Sequence, residues 1–558
     1  MKLLRLTIEN TSGFRSLRKG FCVQFHRNGK WGELTQFSPF CLVGLNGCGK
    51  SNVLEALAHI FYHVELCISV HLPDYLLDGN VFNPAKCPVD AFTLEYLVKT
   101  DLEYDGRCNE YVLIRISKKE GEIPELTLLE PYHSPNRIMK YTLDGQNVGM
   151  ASLLRGVLPK YVIGYSSGEN ETLSIPFIKS RLLHLEEFKQ ATIGNYQNYI
   201  NPENNLIYVD ANMSQAILLC CLLFENQNAL KSLAKYDNTG ILSVKKFRMS
   251  LKCRDFSDSK GNEYSYFVLL ERDLFPILQA CSTMSWYDDV RKTYYFDFFV
   301  NEATKEAFRH YYDSGMKCFQ MFRLLYELNN YMVSKNKVKE VIASTGIYTD
   351  GKIGNPGSDD DVFHFLDFFI EKQVDQEGHS EEMLLRQLSD GEHQFIHTMA
   401  ICLLLKNDDS LLLLDEPETH FNPSWRSRFV STLDETLQAA CEDETISDTN
   451  MKKEILITSH SPFIISDCKA ENVIILDKNE LDEPYAESAA EKGIATYGTS
   501  ISLLMAKIFH STATIGKHAE LGIQAAVKKG GTKDEIIDNL NAEFGDSVEK
   551  LIAINSLK

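Results

Sequence analysis

The segment Gly44–Ser51 constrains the fold more than any other part of this chain. Its sequence, Gly-Leu-Asn-Gly-Cys-Gly-Lys-Ser, lies between a short apolar run at 40–43 and a stretch with helical apolar spacing at 52–60. Glycines let such a loop curl with its N–H groups turned inward, where they and the start of the following helix can wrap phosphate oxygens. The order strand, loop, helix predicts an α/β domain with a phosphate-binding loop.

The loop residues divide into phosphate ligands and one candidate metal ligand. We expect Lys50 on the β- and γ-phosphates of ATP, and the Ser51 hydroxyl on Mg²⁺, which prefers oxygen ligands. ATP and Mg²⁺ are therefore the predicted cofactors. The other nucleotide-binding residues predicted in this segment are Gly44, Asn46, Gly47, Cys48, Gly49 and Asn52.

A second motif places acidic residues at the end of a buried strand. Four leucines at 411–414 precede Asp415 and Glu416, and ligands of open α/β sheets bind at the carboxyl ends of the strands. We expect Asp415 in the magnesium shell, and Glu416 to orient and polarise the water that attacks the γ-phosphate. The alternative is a core strand that ends in a solvated acidic turn, which the phosphate loop disfavours.

The segment Leu388–Glu392, about one helix before the acidic motif, carries a family resemblance. Its sequence, Leu-Ser-Asp-Gly-Glu, resembles the signature of ABC-type ATPase heads, in the variant of soluble SMC-like and OLD-like ATPases. The resemblance implies that Ser389, Gly391 and the following helix of one copy close over the γ-phosphate bound by another copy. It therefore implies that the chain associates with itself as a head-to-head dimer or a higher oligomer.

Two further residues receive roles from the same resemblance. Residues 454–462 look like the last strand and switch histidine of this fold, which implies that His460 contacts the γ-phosphate. Residues 1–25 resemble the opening hairpin of SMC-like DNA repair heads, in which the arginine matched by Arg15 reaches the nucleotide phosphates. The alternatives are a structural histidine after a strand and a solvated arginine at a turn.

The distance between the phosphate loop and the signature predicts how the chain is organised. A large insertion must split one head, so the predicted fold class is α/β: a P-loop ABC-type ATPase head split by a mostly helical insertion with a β-hairpin. That hairpin is expected to pair 244–254 with 264–270, and residues 351–361 are expected to form a mobile loop. The predicted units are an N-terminal ATPase lobe at 1–175, the insertion at 176–360, a C-terminal ATPase lobe at 361–480 and a helical tail at 481–558.

The charge of the chain does not decide whether it contacts nucleic acid. A net charge of −20 argues against coating DNA by bulk electrostatics. Along 244–254, however, cations alternate with apolar residues, which is typical of a strand with one basic face, either solvated or in contact with a phosphate backbone or an acidic partner. The alternating cations are Lys246, Arg248, Lys252 and Arg254.

Composition and the tail complete these expectations. The 558 residues, 44% of them hydrophobic, suggest two or three folded units, and no segment is typical of a leader or of a membrane span. The 14 cysteines include no CxxC pair, so reduced thiols and a cytoplasmic location are expected. In the tail, Thr532 with Glu535 and Asp546 with Glu549 are predicted to begin helices.

Over most of its length the chain resembles the ATPases of bacterial anti-phage defence operons, the restriction-system-associated ATPases, and more closely the PtuA family of Septu and retron systems. The compact insertion, the tail too short for the nuclease domain of OLD-like proteins, and residues 414–423 carry this resemblance. It implies a slow, regulatory ATPase without nuclease activity of its own, which controls a PtuB-like HNH nuclease. In the retron version, a reverse transcriptase with RNA-linked DNA is a further partner.

Three other functions stay open at this point. An SMC-like DNA repair or recombination ATPase would bind DNA directly and hydrolyse ATP faster in its presence. A nucleotide-binding subunit of a transporter would need a coupling surface for a membrane domain, and the large insertion disfavours it. A protein that uses ATP as a structural switch with negligible turnover would keep the same binding residues.

Overall fold

The described residues of the computed structural model are 1–27, 34, 36–69, 72, 76, 81–99, 111–130, 137–144, 153–167, 171–194, 205–210, 213–253, 255–257, 263–265, 274–330, 333–344, 361–406, 408–439 and 452–557. The predicted loop at 351–361 lies outside them except for Asp361.

The strands are β1 Lys2–Ile8, β2 Cys22–Gln24, β3 Phe40–Gly44, β4 Phe92–Lys99, β5 Tyr111–Lys118, β6 Glu125–Glu130, β7 Arg137–Thr142, β8 Tyr161–Ser166, β9 Leu206–Tyr208, β10 Ile241–Lys252, β11 Asp255–Ser257, β12 Glu263–Ser265, β13 Met284–Asp288, β14 Thr293–Phe299, β15 Phe363–Phe365, β16 Phe369–Gln373, β17 Ser380–Leu384, β18 Ser410–Asp415, β19 Lys453–Thr458, β20 Val473–Lys478 and β21 Pro484–Ser488. The helices are α1 Lys50–Ile68, α2 Glu171–Gly194, α3 Ser214–Phe224, α4 Lys231–Ala234, α5 Phe275–Cys281, α6 Glu302–Tyr311, α7 Gly315–Leu328, α8 Lys335–Ala343, α9 Asp390–Leu404, α10 Pro423–Arg426, α11 Phe429–Ala439, α12 Pro462–Ser466, α13 Ile501–Ile508, α14 Lys517–Lys528, α15 Lys533–Glu543 and α16 Val548–Ser556.

A seven-stranded sheet with the order β21-β20-β3-β19-β18-β8-β9 positions the candidate site. Its strands pair in parallel, except for β21 against β20. Strands β3, β18 and β19 are buried along their whole length, as parallel strands with both faces covered are. The strands predicted at 40–43 and 411–414 are confirmed, whereas β19 is not the last strand, because β20 and β21 follow it.

Successive residues of these strands point to two different cores. Cys41 and Val43 belong to a core with helices α3 and α9, whereas Phe40 and Leu42 belong to a core with helix α1. This alternation is the period of a β-strand. The helix that follows the phosphate loop and the helix that follows the signature therefore lie on opposite faces of the sheet.

An antiparallel sheet with the order β2-β1-β4-β5-β6-β7 adds its apolar face to the core of helix α1. The predicted opening hairpin is confirmed, since Leu6 of β1 pairs with Val23 of β2. In the same sheet, β4 and β5 form an antiparallel pair from Phe92↔Lys118 to Lys99↔Tyr111.

A second antiparallel sheet, β13-β14-β10-β16-β17 with β15 paired to β10, corrects the predicted hairpin. Strand β10 pairs with β14 and β16. Of the expected partner at 264–270, residues 266–270 lie outside the described residues, and 264 and 265 belong to β12, which pairs with β11. The physical reason is the apolar side of β10, where Phe247 stacks on Phe298 with ring centroids 4.3 Å apart. Strand β9, from the predicted insertion, lies in the central sheet with strands of both predicted ATPase lobes. Strand β10, also from the insertion, shares a sheet with β16 of the C-terminal lobe. The predicted unit boundaries stay predictions.

The tail ends in three short helices, α14, α15 and α16, around a small apolar cluster of Ile523, Ile536 and Leu540. Thr532 and Glu535 form the predicted capping box of α15. The predicted cap of α16 is one residue early, because the Ser547 side chain, not Asp546, accepts from the backbone N–H of Lys550. Within the described residues, no helix combines the length and the apolar character needed to cross a membrane.

Candidate nucleotide site

Close packing explains two glycines of the phosphate loop, against backbone at Gly44 and against side chains at Gly49. The loop connects β3 to α1, and Gly44, with φ of 145°, would place a Cβ 2.1 Å from the carbonyl oxygen of Leu476 in β20. Gly49 has φ of 94°, and its Cβ would lie 2.7 Å from Ser16 Oγ. Only glycine fits these positions, because each needs a left-handed backbone and no side chain.

The other predicted nucleotide-binding residues of this segment lie at the tip of the loop, beneath it and in the first turn of α1. Asn46 and Gly47 are exposed at the tip, and Cys48 is buried beneath it. Asn52, in the first turn of α1, donates from Nδ2 to Ser16 Oγ at 2.7 Å. The Phe14–Leu17 turn thus packs directly on the start of helix α1.

Lys50 lies under the loop and is only 6% exposed. Its Nζ donates to the carbonyl oxygens of Gly44 and Leu45, at 3.3 Å each. Burial lowers the pKa of Lys50, while the negative charges of Glu416 and Asp415 oppose that shift. The buried ammonium therefore lies beside the acidic end of β18.

Ser51 and Asp415 meet although they are far apart in the sequence. Ser51 Oγ donates to Asp415 Oδ1 at 2.8 Å, and Thr458 Oγ1 donates to the same oxygen at 2.6 Å. Strands β18 and β19 pair Asp415 with Thr458, which explains the second contact. A hydroxyl and a carboxylate are hard oxygen donors of the kind Mg²⁺ prefers, so the donor set fits this ion.

Glu416 has a left-handed backbone that is uncommon outside glycine. Its φ is 48°, and its N–H is held by Thr458, with the hydroxyl at 3.0 Å and the carbonyl oxygen at 3.2 Å. Such strain is typical of functional positions. Burial, and then the neighbouring charge of Asp415, raise the pKa of Glu416.

His460 faces the Glu416 carboxylate from the neighbouring strand end. Its Nε2 lies 3.5 Å from Glu416 Oε1. Burial and the nearby charge of Lys50 lower the pKa of His460, which favours the neutral imidazole, while the charge of Asp415 opposes this shift. The structure therefore brings together the residues predicted by the phosphate loop and the acidic motif, and His460, whose role the resemblance implied. They are Lys50, Ser51, Asp415, Glu416 and His460.

Glu418 is a buried carboxylic acid of this region that received no predicted role. It is 4% exposed, its Oε1 accepts from Ser459 Oγ, and within the described residues its Oε2 has no hydrogen-bond partner. Burial raises the pKa of Glu418 to about 7. The sequence signal was the second glutamate after Asp415, but only the fold shows that this side chain turns inward. Thr458 was also missed by sequence reasoning, because its contacts with Asp415 and Glu416 arise only from the pairing of β18 with β19.

We expect Glu418 to make the stability of the protein depend on pH. Its folded pKa of about 7 lies above the ordinary value of 4.5. The unfolded chain therefore loses this proton at lower pH, so stability falls as pH rises from about 4.5 to 7, by about 3 kcal/mol in total. Between pH 5 and 8, Glu418→Gln should lose less stability than the wild type, measured as the shift in Tm. The exposed Glu487→Gln is the matched control, and an unchanged pH dependence in Glu418→Gln would contradict this expectation.

Arg15 lies beside the phosphate loop but is held by a carboxylate of helix α1. Its Nη2 and Nε donate to Glu55 Oε1 at 2.8 and 3.0 Å. The backbone φ of Arg15 is 55°, and the adjacent Phe14 and Leu17 pair across the turn. The arginine is therefore ordered near the loop, and its predicted contact with nucleotide phosphates stays a prediction.

The signature segment forms the N-terminus of helix α9. The Ser389 side chain accepts from the N–H of Glu392, and Glu392 Oε2 accepts from the N–H of Ser389 at 2.9 Å, which completes a capping box. Glu392 also forms an ion pair with Lys372. A Cβ on Gly391 would lie 3.0 Å from the carbonyl oxygen of His420, which explains this glycine.

Three cations of β10, Lys245, Lys246 and Arg248, form ion pairs within their own sheet. Lys246 contacts Glu382 at 2.7 Å, and Arg248 contacts Asp297 at 2.5 Å. Lys245, on the same strand, contacts Glu371 at 2.7 Å. These acidic partners neutralise cations that the sequence analysis considered for contact with a phosphate backbone. Arg254, another of those cations, lies outside the described residues.

One family model and several solved structures match this chain. The model described as AAA ATPase domain matches residues 1–465. Three solved structures each align with 88% of this chain. The SmcHead bound to the C-winged helix domain of ScpA is 10% identical over 99% of its own length, with a TM-score of 0.32, and the SMC head domain from Thermotoga maritima is 11% identical over 99%, with a TM-score of 0.29. The Smc head domain with a coiled coil and joint derived from Pyrococcus yayanosii is 12% identical over 98%, with a TM-score of 0.29. At these TM-scores, nothing further about this chain follows from them. No curated protein matches the chain.

Proposed function

We propose a function from one premise: this chain belongs to the AAA ATPase domain family. The protein binds ATP with Mg²⁺ and hydrolyses it slowly, as the regulatory subunit of an anti-phage defence complex. Nucleotide-dependent association of two heads controls a partner HNH nuclease. The observation that carries the ATPase part is the meeting of Lys50, Ser51, Asp415, Glu416 and His460 at one end of the central sheet.

Each of these residues has a role that its surroundings support. Lys50 binds the β- and γ-phosphates, and the N–H groups at the start of α1, which have no carbonyl partner within the helix, bind phosphate oxygens. Ser51 and Asp415 hold Mg²⁺, which neutralises charge on the phosphates when it is bound. Glu416 accepts a hydrogen bond from the attacking water, and His460 contacts the γ-phosphate. The raised pKa of Glu416 brings it closer to the pH at which a general base works best.

Two features support a site shared between two copies. Helices α1 and α9 pack on opposite faces of the central sheet, and Ser389 is exposed at the N-terminus of α9. An exposed helix N-terminus is a ready anion site that a second copy can bring to the γ-phosphate. Its own Glu392 is neutralised by Lys372, which reduces the repulsion of an approaching phosphate.

A mixing experiment tests this shared site. Lys50→Ala lacks a working loop and Ser389→Arg lacks a working signature, so each variant alone is expected to hydrolyse ATP poorly. An equal, co-expressed mixture should recover up to about a quarter of the wild-type rate, because half of its dimers keep one intact site. Light scattering supplies a second readout: Glu416→Gln should double its mass with ATP, and the added Ser389→Arg change should prevent this. Wild-type activity in the Ser389→Arg protein, or a mass that still doubles with ATP in the Glu416→Gln/Ser389→Arg double variant, would refute the shared site.

The nuclease partner is supported by the resemblance to defence ATPases and by the surface of the tail. Leu551 and Ile552 of helix α16 are 60% and 62% exposed, beside exposed Val548. Exposed apolar groups of this kind are typical of contact surfaces. Co-purification with a PtuB-like HNH nuclease tests this part, with Leu551→Ser and Ile552→Ser expected to weaken it. Direct loading on DNA, as in SMC-like repair heads, is not favoured, because Lys245, Lys246 and Arg248 are already paired with acids.

A further inference from the structure

A second cavity, away from the phosphate loop, lies against the C-terminal half of helix α1. Its volume is about 530 Å³, within the range of small-molecule sites. His59 and His63 of α1, Phe82, Lys179 of α2 and Ile342 of α8 are among the residues that line it. The walls are thus part aromatic and apolar, and part basic.

His59, one of the residues that line this cavity, has an unused acceptor. The residue is 3% exposed, and its Nδ1 has no hydrogen-bond partner within the described part of the chain. Its Nε2 lies 3.7 Å from Glu55 Oε1, so the N–H belongs on that side and Nδ1 carries the lone pair. Burial lowers the pKa of His59, which keeps the ring neutral. A bound molecule with a hydroxyl group would satisfy this atom, since a buried polar atom without a partner is costly.

Two lysines give the same cavity a positive charge. Neither Lys86 nor Lys179 forms an ion pair with a carboxylate within the described residues, whereas the lining Asp90 is paired with Lys118. Lys179 Nζ donates to the carbonyl oxygens of Ile342 and Ser344, which leaves one of its three N–H groups for a ligand. Burial lowers the pKa of Lys179 to about 8, so most of it stays protonated at pH 7. The lining is therefore complementary to an anion.

We propose that this cavity is a binding site for a small phosphate monoester with a hydroxylated ring, the class of sugar phosphates and nucleoside monophosphates. The phosphate lies by Lys179 and Lys86, a ring hydroxyl donates to His59 Nδ1, and the ring packs on Phe82 and Ile342. Its size, its positive charge and the unused acceptor of His59 together select this chemistry over a purely apolar ligand.

The site is connected to Arg15 through two contacts of His59. The His59 ring packs edge-on against Phe14, with centroids 5.8 Å apart, and its Nε2 shares Glu55 Oε1 with Arg15. A ligand hydroxyl that donates to Nδ1 makes the ring a stronger N–H donor toward Glu55, so the ligand competes for the carboxylate that holds Arg15. The released Arg15 then contacts the nucleotide, so the ligand lowers the KM for ATP and leaves kcat unchanged. This last step rests on the ATPase function proposed above.

Calorimetry on the full-length Lys50→Ala protein tests the cavity separately from the ATP site. The probes are ribose 5-phosphate and AMP, with ribose and inorganic phosphate as controls that each lack half of the recognised chemistry. We expect at least one phosphorylated probe to bind, and to bind about tenfold or more tightly than either control, because it makes both the charged and the neutral contacts. Absence of binding by both phosphorylated probes at millimolar concentration would overturn the proposal.

Matched variants assign the binding to this cavity. Lys86→Met and His59→Leu should each weaken the probe about tenfold, whereas His59→Asn, whose side-chain oxygen can accept near the Nδ1 position, should retain most of the affinity. The exposed Lys140→Met on β7 is the control, and Tm measurements show that each variant is folded. Equal affinity in His59→Leu, His59→Asn and the wild type would place the ligand elsewhere. A wild-type protein that binds the probe without a change in KM for ATP would refute only the connection to Arg15.

Discussion

Glu416→Gln is expected to lower the rate of ATP hydrolysis by about a hundredfold to ten-thousandfold. Glutamine keeps the size of the side chain but cannot take a proton from the attacking water. The backbone contacts that hold residue 416, from its N–H to Thr458, do not depend on the carboxylate and should persist. The contacts of Ser51 and Thr458 with Asp415 are also untouched, so ATP should still bind.

Steady-state hydrolysis and the Kd for ATP measure the two halves of this expectation. The exposed Glu487→Gln is the control for a generic loss of one negative charge. His460→Ala adds a second test, because its ring lies 3.5 Å from Glu416 and should reduce kcat more than ATP affinity. Hydrolysis by Glu416→Gln at the wild-type rate would show that the water-positioning role is wrong.

Lys50→Ala is expected to act one step earlier, on binding itself. The ammonium is buried beside the loop, where its only hydrogen bonds within the described residues go to the carbonyl oxygens of Gly44 and Leu45. Its loss removes at least two charge-assisted hydrogen bonds to phosphate, at about 1.5–3 kcal/mol each, so ATP should bind about a hundredfold more weakly or worse. The fold should persist, because burial already disfavours this charge.

Fluorescence titration with a labelled ATP analogue, together with Tm in its presence and absence, measures this effect. The wild type should gain Tm with the analogue and Mg²⁺, as any ligand that binds only the native state stabilises it, and Lys50→Ala should not. Lys160→Ala, which removes an exposed lysine paired with Asp408, is the matched control. Lys50→Ala with a wild-type Kd would contradict the assignment of the loop.

Local patterns in the sequence predicted the elements that carry this chemistry. The glycines of 44–49, the apolar run before them and the leucines before Asp415 each depend on neighbours a few positions away, and β3, α1 and β18 follow them closely. The hairpin predicted for 244–254 was wrong for the opposite reason. Its true partners, β14 and β16, lie some 50 and 120 residues along the chain, and buried aromatic packing selects them.

Glu418 and Glu55 show what local patterns could not supply. Both are glutamates whose positions in the sequence give no sign of burial, and each is fully or nearly enclosed, at 4% and 0% exposure. One accepts from Ser459 at the end of another strand, and the other holds Arg15 from the opening turn. Their partners are decided by the order of strands and the packing of helix α1.

The sequence by itself determined which chemical groups are present and which short elements carry them, because glycine spacing and apolar periodicity act over a few residues. Only the tertiary structure decided that Asp415 meets both Ser51 and Thr458, that the signature helix lies on the face opposite α1, and that His59 links a cavity to Arg15. Contacts between residues hundreds of positions apart depend on strand order and on shared cores, which local spacing does not encode.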